Sequence, residues 1–348
     1  MSVAAAALAM ALASAHPSLA CASGLPHAAR TATGTAVAPP SGAAWLTADG
    51  AVRIVGYNDM AGMIARWDAG FTALHPQVRF APVLKSTRSA PPALVAGTSA
   101  LAPMGAEFTP QDLAAYRRAF GGAPLMIRVA HDSLDPKALS GPIGIIVPTV
   151  NPLRSLDLAQ VARIFAAGRT PRTWGELGLT GSWRTRPVHL LGLRPGTALA
   201  RFLQARAFAG RPYSPAVQGF GHSTDVARAV ARDPYAIGFA GLDTPMTGLR
   251  AVPLAAAPGE RAIAPTRSAL QEGLYPLDRQ LLIYAQRPLD PLVRAYLAFV
   301  LSCEGQAAVA ADPLGYIPLT PAQAGAERAR LRPKTSRHSG PRTGPRSR

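Results

Sequence analysis

Apolar positions in the first third of the chain follow two different periods. The segment AVRIVGY, residues 51–57, is mostly apolar and predicts a buried strand. VRFAPVL, residues 78–84, predicts a second strand. Between them, apolar residues recur every three or four positions and predict one face of a helix: Met60, Met63, Ile64, Trp67, Phe71 and Leu74. A strand, a helix and a strand in this order predict an α/β fold with parallel pairing.

The alternation of strand and helix patterns continues towards the C-terminus. Further strands are predicted at MIRVA (126–130), IGIIVP (143–148), PVHLLGL (187–193), AIGFAGL (236–242) and YPLDRQLLIYA (275–285). The chain has 348 residues, which is too long for one ordinary sheet, and no linker composition interrupts its middle. We therefore expect two α/β lobes, with a chain that crosses between them more than once.

The N-terminal region has the pattern of an export signal. An apolar stretch from Val3 to Ala13 is followed by Ala20-Cys21-Ala22, which fits a signal peptide over residues 1–22 with cleavage after Ala22. Residues 23–50 are rich in Ala, Thr, Pro and Gly and predict a disordered leader. This pattern predicts a periplasmic protein. The alternative is that the N-terminus is processed at Cys21 and carries a lipid on this residue.

The C-terminal end is more positively charged than the rest of the chain. The formal net charge is +17, and residues 321–348 are rich in Arg, Pro and Gly, so they predict a disordered basic tail. A solvated tail is the simpler interpretation, and we expect no nucleic-acid partner. The positive surplus of the folded part suits an anionic ligand without requiring one.

The motifs of common enzyme and metal sites are missing from the sequence. It contains no Gly-x-Ser-x-Gly elbow, no His-Glu-x-x-His and no phosphate-binding Walker loop. With two cysteines and scattered histidines, it predicts no metal site, and the interpretation of Cys303 is a buried, unpaired thiol. We therefore expect a protein that is not an enzyme and that uses no cofactor.

Four segments in a fixed order resemble the substrate-binding proteins of bacterial ABC phosphate importers. They are SLDLAQVARIFAAGRTPRTWGELGLTGSW (155–183), AIGFAGL (236–242), YPLDRQLLIYAQRPLDP with the helices after it (275–310), and GYIPL (315–319). The resemblance implies a two-lobed, type II-like periplasmic binding fold. In such a fold each lobe is a mixed sheet flanked by helices, and the ligand cleft lies between the lobes.

The resemblance also implies the boundaries and the function. Lobe I would hold residues 51–135 and 275–320, and lobe II with the crossover segments would hold residues 136–274. The protein would capture an inorganic oxyanion, most readily phosphate, and act as a monomer that delivers it to an ABC permease in the inner membrane.

In this family, backbone amides at helix N-termini, Ser and Thr hydroxyls, an Arg and a carboxylate hold the oxyanion. The matching loops of this chain contain Asn58 and Asp59 in place of two hydroxyl residues, and Glu107 is displaced from the family's carboxylate. The ligand-binding residues that the resemblance implies are Asn58, Ser86, Thr87, Ser89, Glu107, Arg194, Gly196 and Thr197.

Two questions stay open at the level of sequence. Thr197 is a good helix cap, so Arg194-Pro195-Gly196-Thr197 is either an anion-binding turn or only the start of a capped helix. Either Glu107 or Asp59 would have to accept a proton from the ligand; Asn58 and Asp59 also fit the role of helix caps. A binding-protein scaffold without a transport ligand, serving as an interaction or sensor protein, is the alternative function.

Overall fold

The fold of lobe I begins with four strands and three helices. We describe it from a computed structural model, which covers residues 24–28 and 37–332. The elements in chain order are β1 (Val52–Gly56), α1 (Ala61–Leu74), β2 (Phe80–Leu84), α2 (Ala90–Val95), β3 (Leu101–Met104), α3 (Pro110–Phe120) and β4 (Leu125–His131). The stripe predicted for α1 is confirmed, because Met63, Ile64, Trp67 and Phe71 are buried in the core of this lobe.

Lobe II is one uninterrupted stretch of chain. Its elements are β5 (Ile143–Pro148), β6 (Leu156–Asp157), α4 (Leu158–Phe165), β7 (His189–Leu193), α5 (Ala198–Ala207), β8 (Gln218–Phe220), α6 (Ser223–Arg232), β9 (Ala236–Gly241), β10 (Leu249–Ala251), β11 (Leu254–Ala255) and α7 (Arg267–Gln271). The main sheet has the order β10-β5-β9-β7-β8, with β7 parallel to its neighbours and β5 antiparallel to β9 and β10. Trp174, Phe165 and Phe239 lie in its core.

The chain then returns to lobe I and completes it. The returning elements are β12 (Gln280–Ala285), α8 (Pro291–Val300), α9 (Cys303–Ala310) and α10 (Pro321–Ala329). Strand β12 inserts between β3 and β4 and pairs antiparallel with both, so the sheet has the order β2-β1-β3-β12-β4. Two mixed sheets flanked by helices confirm the predicted two-lobed α/β class.

Two crossover segments join the lobes, residues 132–142 and 272–279. They are hydrogen-bonded to each other, because Asp132 N donates to Arg279 O at 3.0 Å, and Ile143 N at the start of β5 donates to Leu277 O of the second crossover at 3.1 Å. The strand predicted over 275–285 begins only at Gln280, because residues 275–279 belong to the crossover.

The leader packs on lobe I where the structure describes it, so the prediction of disorder over 23–50 is wrong for these residues. Leu25 is buried in the core of lobe I, and Pro26 O accepts a hydrogen bond from Cys303 N at the start of α9. Leu46 forms a bridge to Val52 of β1. Backbone pairing of this kind orders a segment whose composition is typical of a linker.

Cys303 is disulfide-bonded, and its interpretation as an unpaired thiol is wrong. The other cysteine of the sequence is Cys21, which lies outside the described residues, as does the whole predicted signal peptide. Ligand atoms of His27, Cys303 and Glu304 lie within 4.8 Å of one another, but a disulfide-bonded sulfur is not a thiolate ligand for a metal.

The prediction of a disordered tail from residue 321 is wrong for its first part, because residues 321–329 form α10. A capping box starts this helix, with Thr320 and Gln323 exchanging hydrogen bonds. Glu327 accepts hydrogen bonds from the backbone amide and side chain of Arg128 on β4. Strand β4 is an edge of its sheet, so α10 covers backbone that would otherwise be unpaired.

No single helix among residues 24–28 and 37–332 is long and apolar enough to span a membrane, although Pro291–Val300 and Cys303–Ala310 together pass that test as a pair bent by 56°.

Truncation tests the role of α10. A chain that ends at Thr320 should lose at least about 2 kcal/mol of unfolding free energy, because it exposes the surface under Ala324 and Leu331 and the edge of β4. A chain that ends at Arg332 is the control and should unfold like the full chain. Urea unfolding curves measure both, and equal midpoints for the two truncations would contradict a structural role for α10.

Candidate functional site

The loops that follow β1, β2 and β3 meet at one edge of the lobe I sheet. Tyr57 N donates to Pro103 O at 3.0 Å, and the amides of Lys85 and Ser86 both donate to Gly56 O, at 2.9 and 3.1 Å. The ring of Tyr57 lies against the backbone of Gly105, where a Cβ atom would collide with it. A bulky aromatic side chain therefore occupies space between the first and third loops.

The structure gives Asn58 and Asp59 roles that differ from helix capping. Asn58 is exposed, and neither residue caps α1 with its side chain. Asp59 is buried and accepts hydrogen bonds from Leu139 N at 2.8 Å and from the hydroxyl of Tyr316. The capping interpretation is thus wrong, because Asp59 binds the first crossover segment and the chain after α9 instead.

The hydroxyl residues after β2 form a compact turn. Ser89 Oγ donates to Ser86 O at 2.7 Å, so this hydroxyl is engaged locally and makes no cap hydrogen bond to α2. Ser86 and Thr87 are partly exposed at the edge of the lobe. The predicted hydroxyl-rich loop exists, with at least one of its three hydroxyls already bound within the turn.

The predicted turn before α5 has the geometry of a helix start. Gly196 has φ +91°, which favours glycine. Thr197 Oγ1 accepts from Ala200 N at 3.3 Å and donates to Arg194 O at 3.1 Å. The amides of Ala198 and Leu199, in the first turn, have no acceptor inside the helix. The guanidinium of Arg194 lies near Gly221, where a Cβ would be 2.8 Å from Nη2.

Glu107 and α5 lie on opposite walls of a cleft between the lobes. A cavity of about 490 Å³ is lined on one side by residues 106–110 of lobe I and on the other by α5, starting at Ala198 and including Arg201 and Phe202. A second cavity of about 400 Å³ shares Glu107 and Phe202 with the first. The structure therefore brings Glu107 and the N-terminus of α5 to the same cleft.

A buried ion pair holds the base of this cleft. Arg279 is 5% exposed, and its guanidinium donates to Asp132 Oδ2 at 3.0 Å, to Gly105 O at 2.6 Å and to Gly141 O at 3.1 Å. Ser140 Oγ also donates to Asp132 Oδ2, at 2.8 Å. One side chain thus joins the second crossover to the first crossover and to the third loop of lobe I.

Carboxyl groups outnumber cations at the cleft base. Burial raises the pKa of the Asp132 carboxyl to about 6 against the opposing influence of Arg279, and burial likewise raises the pKa of Asp243 to about 6. Asp243 Oδ1 has no hydrogen-bond partner within the described part of the chain. A Cβ atom at Gly241 would collide with Asp243 Oδ1 and would lie 3.4 Å from Leu199 Cδ1, so both atoms are close to Gly241. This places a carboxyl near the start of α5.

Sequence reasoning missed Arg279, Asp132 and Asp243 as site residues. Each lies at the end of an apolar strand pattern, in LDRQLLIYA, MIRVAHDS and AIGFAGLD. Charged residues that flank buried strands are the signal that could have identified them. Asp132 and Asp243 follow the carboxyl ends of β4 and β9, where sites commonly lie in α/β folds, and Arg279 directly precedes β12.

Comparisons with known proteins agree with this architecture. Residues 41–304 match the model of a PBP superfamily domain. The phosphate-binding protein PstS of Pseudomonas aeruginosa is 32% identical over 275 residues, which is 76% of this chain and 82% of the relative.

Solved structures support the fold. An ABC-type phosphate transport receptor from Vibrio cholerae has a TM-score of 0.54 at 16% identity, covering 77% of this chain and 99% of that chain. PstS from Borrelia burgdorferi has a TM-score of 0.54 at 13% identity, covering 77% of this chain and 98% of that chain.

Replacement of Arg279 tests the buried pair. Arg279→Met should lower the unfolding free energy by about 3–5 kcal/mol, because it leaves the Asp132 carboxylate buried without its cation. Adding Asp132→Asn should recover part of the loss. Arg228→Met, which removes an exposed partner of Asp225, is the matched control. A loss no larger than that of the control in urea unfolding would contradict the role of Arg279.

The buried carboxyl of Asp243 should make stability depend on pH. Burial raises the pKa of the Asp243 carboxyl from its ordinary 3.8 to about 6 in the native state, so ionisation favours the unfolded chain, and stability falls as pH rises from about 4 through 6. Asp243→Asn should therefore stabilise the protein by about 1–3 kcal/mol at pH 7.5 and have little effect at pH 4. Urea unfolding at both pH values measures this. Asp225→Asn on the surface of α6 is the control, and a gain independent of pH would contradict the assignment.

Proposed function

This chain belongs to the PBP superfamily and, within it, to the family of the phosphate-binding protein PstS, and on that premise we propose that it captures an inorganic oxyanion, phosphate first, for an ABC importer. The proposal includes export to the periplasm, binding as a monomer and delivery to a permease in the inner membrane. The ligand lies between the two lobes, at the first turn of α5.

The observation that carries the proposal is the position of the α5 N-terminus in the inter-lobe cleft. Ala198, its first residue, lines the cavity opposite residues 106–110. Amides of a first helical turn carry partial positive charge and bind anions well. Gly196 leaves this turn open, and Thr197 and Arg194 lie directly before it. The anion-seat interpretation of this turn is therefore favoured over a helix cap alone, although Thr197 serves as a cap too.

A carboxyl near the seat would select a protonated oxyanion. Asp59 is engaged by two donors, and Glu107 is exposed on the opposite wall, whereas Asp243 keeps a buried oxygen without a partner among the residues described. Hydrogen phosphate can donate its proton to that oxygen. Sulfate has no proton to donate at neutral pH, and its charge would face the carboxylate directly.

One observation favours the alternative function, a scaffold that binds a partner protein without a transport ligand. Tyr57 lies against Gly105 at the point where the family's first and third loops supply donors to the anion. The cleft base also carries more carboxyl groups than cations. If no oxyanion binds, this alternative is the better description of the chain.

Calorimetry with phosphate and sulfate tests the proposal. We expect phosphate to bind and sulfate to bind at least about tenfold more weakly. Arg194→Ala and Thr197→Ala should each weaken phosphate binding about tenfold or more, because each removes a donor to an ionised group, and Thr197→Ser should retain most of the affinity. Asp243→Asn should narrow the difference between the two anions.

Arg232→Ala, at the exposed end of α6, is the matched control and should leave phosphate affinity unchanged. Binding that resists both Arg194→Ala and Thr197→Ala would place the anion elsewhere. Absence of binding to either anion in a folded protein would overturn the proposal in favour of the partner-binding scaffold.

A further inference from the structure

The cleft beside α5 continues well beyond the proposed oxyanion seat. Two cavities of about 490 and about 400 Å³ run along the lobe I side of this helix and share Glu107, Phe202 and Arg206. We call them together the α5 groove. It begins at Ala198, directly after Thr197, and follows the helix past Ala205 to Gly210.

The groove presents one face of α5 to lobe I. Ala198, Arg201, Phe202 and Ala205 follow one another at helical spacing and line the same cavity. The opposite wall contains the Phe108 ring, which is stacked on Tyr284 with ring centroids 3.9 Å apart. Each cavity lies within the range of roughly 300–1,000 Å³ that is typical of sites for organic molecules, whereas phosphate has five non-hydrogen atoms.

Cations and two carboxylates line the groove, with Glu107 in both cavities and Asp278 in the second. Arg201 lies one turn from the seat, and one of its donors reaches Gly196 O. Arg206 lies farther along and donates its Nε to Pro276 O at 3.0 Å; its guanidinium retains other donors, since Arg has five. Glu107, on the facing wall, would repel a phosphate group from the middle of the groove and accept hydrogen bonds from a hydroxyl or amine.

Phe202 supplies a fixed aromatic surface between these charges. Its ring centroid lies 5.6 Å from the guanidinium carbon of the buried Arg279, so the side chain is held between the groove and the hinge of the two lobes. A flat apolar group that lies against Phe202 would lose its hydration at little cost in side-chain freedom, since an aromatic ring has few rotatable bonds.

We propose that the α5 groove binds a phosphate monoester with a compact aromatic body. The phosphate group occupies the seat at the first turn of α5, the body lies along Phe202, and the end of the body away from the phosphate meets Arg206 and Glu107 in the middle of the groove. This inference rests on the proposed oxyanion seat and extends it from inorganic phosphate to an esterified one.

Calorimetry with three probes tests the groove: inorganic phosphate, phenyl phosphate and glycerol phosphate. We expect phenyl phosphate to bind at least about tenfold more tightly than glycerol phosphate, because the aromatic surface adds apolar burial that glycerol lacks. Ala205→Trp should fill the groove and weaken phenyl phosphate about tenfold while inorganic phosphate is unchanged. Phe202→Ala should remove the preference for the aryl ester.

Ala119→Trp on the exposed face of α3 is the control for adding a large side chain, and circular dichroism and unfolding curves show whether each variant is folded. Two results would overturn the proposal for the groove and leave the oxyanion seat intact. One is binding of inorganic phosphate without binding of phenyl phosphate, and the other is phenyl phosphate binding that Ala205→Trp does not weaken. Ester binding sensitive to Ala205→Trp, without binding of inorganic phosphate, would support the groove and overturn the proposed function.

Discussion

The arrangement of the two lobes depends on one buried charge. Arg279 carries its guanidinium out of water, and a cation in that position needs acceptors on every side. Asp132, Gly105 and Gly141 accept hydrogen bonds from it, on a crossover segment, a lobe I loop and the entrance to lobe II. Among the described residues Arg279 Nε and Asp132 Oδ1 have no hydrogen-bond partner, but three segments held by one guanidinium give the hinge a defined geometry, so the cleft walls meet at a fixed place even if the lobes rotate about it.

The charged groups at the base of the cleft also limit which ligands the cleft can bind. The chain as a whole is strongly basic, with a formal net charge of +17, yet the base of its cleft is rich in carboxyl groups. The net charge of the chain can therefore attract an anion from a distance, whereas the groups that surround the anion decide whether it binds in the cleft. Arg201 and Arg206 of α5 line the cleft, and the anion site that we propose lies at the N-terminus of this helix rather than against the hinge.

Local signals in the sequence predicted local structure well. The stripe of α1 and the cap at Thr197 each depend on residues a few positions apart, and each is present. Partners far apart in sequence were beyond such reasoning: Arg279 and Asp132 are 147 positions apart, and Asp59 meets Tyr316 across 257. The helix after Thr320 was not predicted because the Arg-rich composition of residues 321–348 indicated disorder. The helix packs through a few small apolar side chains, and Ala324 is fully buried.

Strand β12 lies between β3 and β4, and this position determines the order in which the protein can be assembled. Lobe II comprises one continuous segment that is complete before β12 is synthesised. The sheet of lobe I, in contrast, has a gap between β3 and β4 until β12 arrives. Lobe II can therefore form its core first, while β3 and β4 remain unpaired on one side and prone to wrong pairing. Late insertion of a central strand makes lobe I the part of the molecule whose folding most needs protection after synthesis.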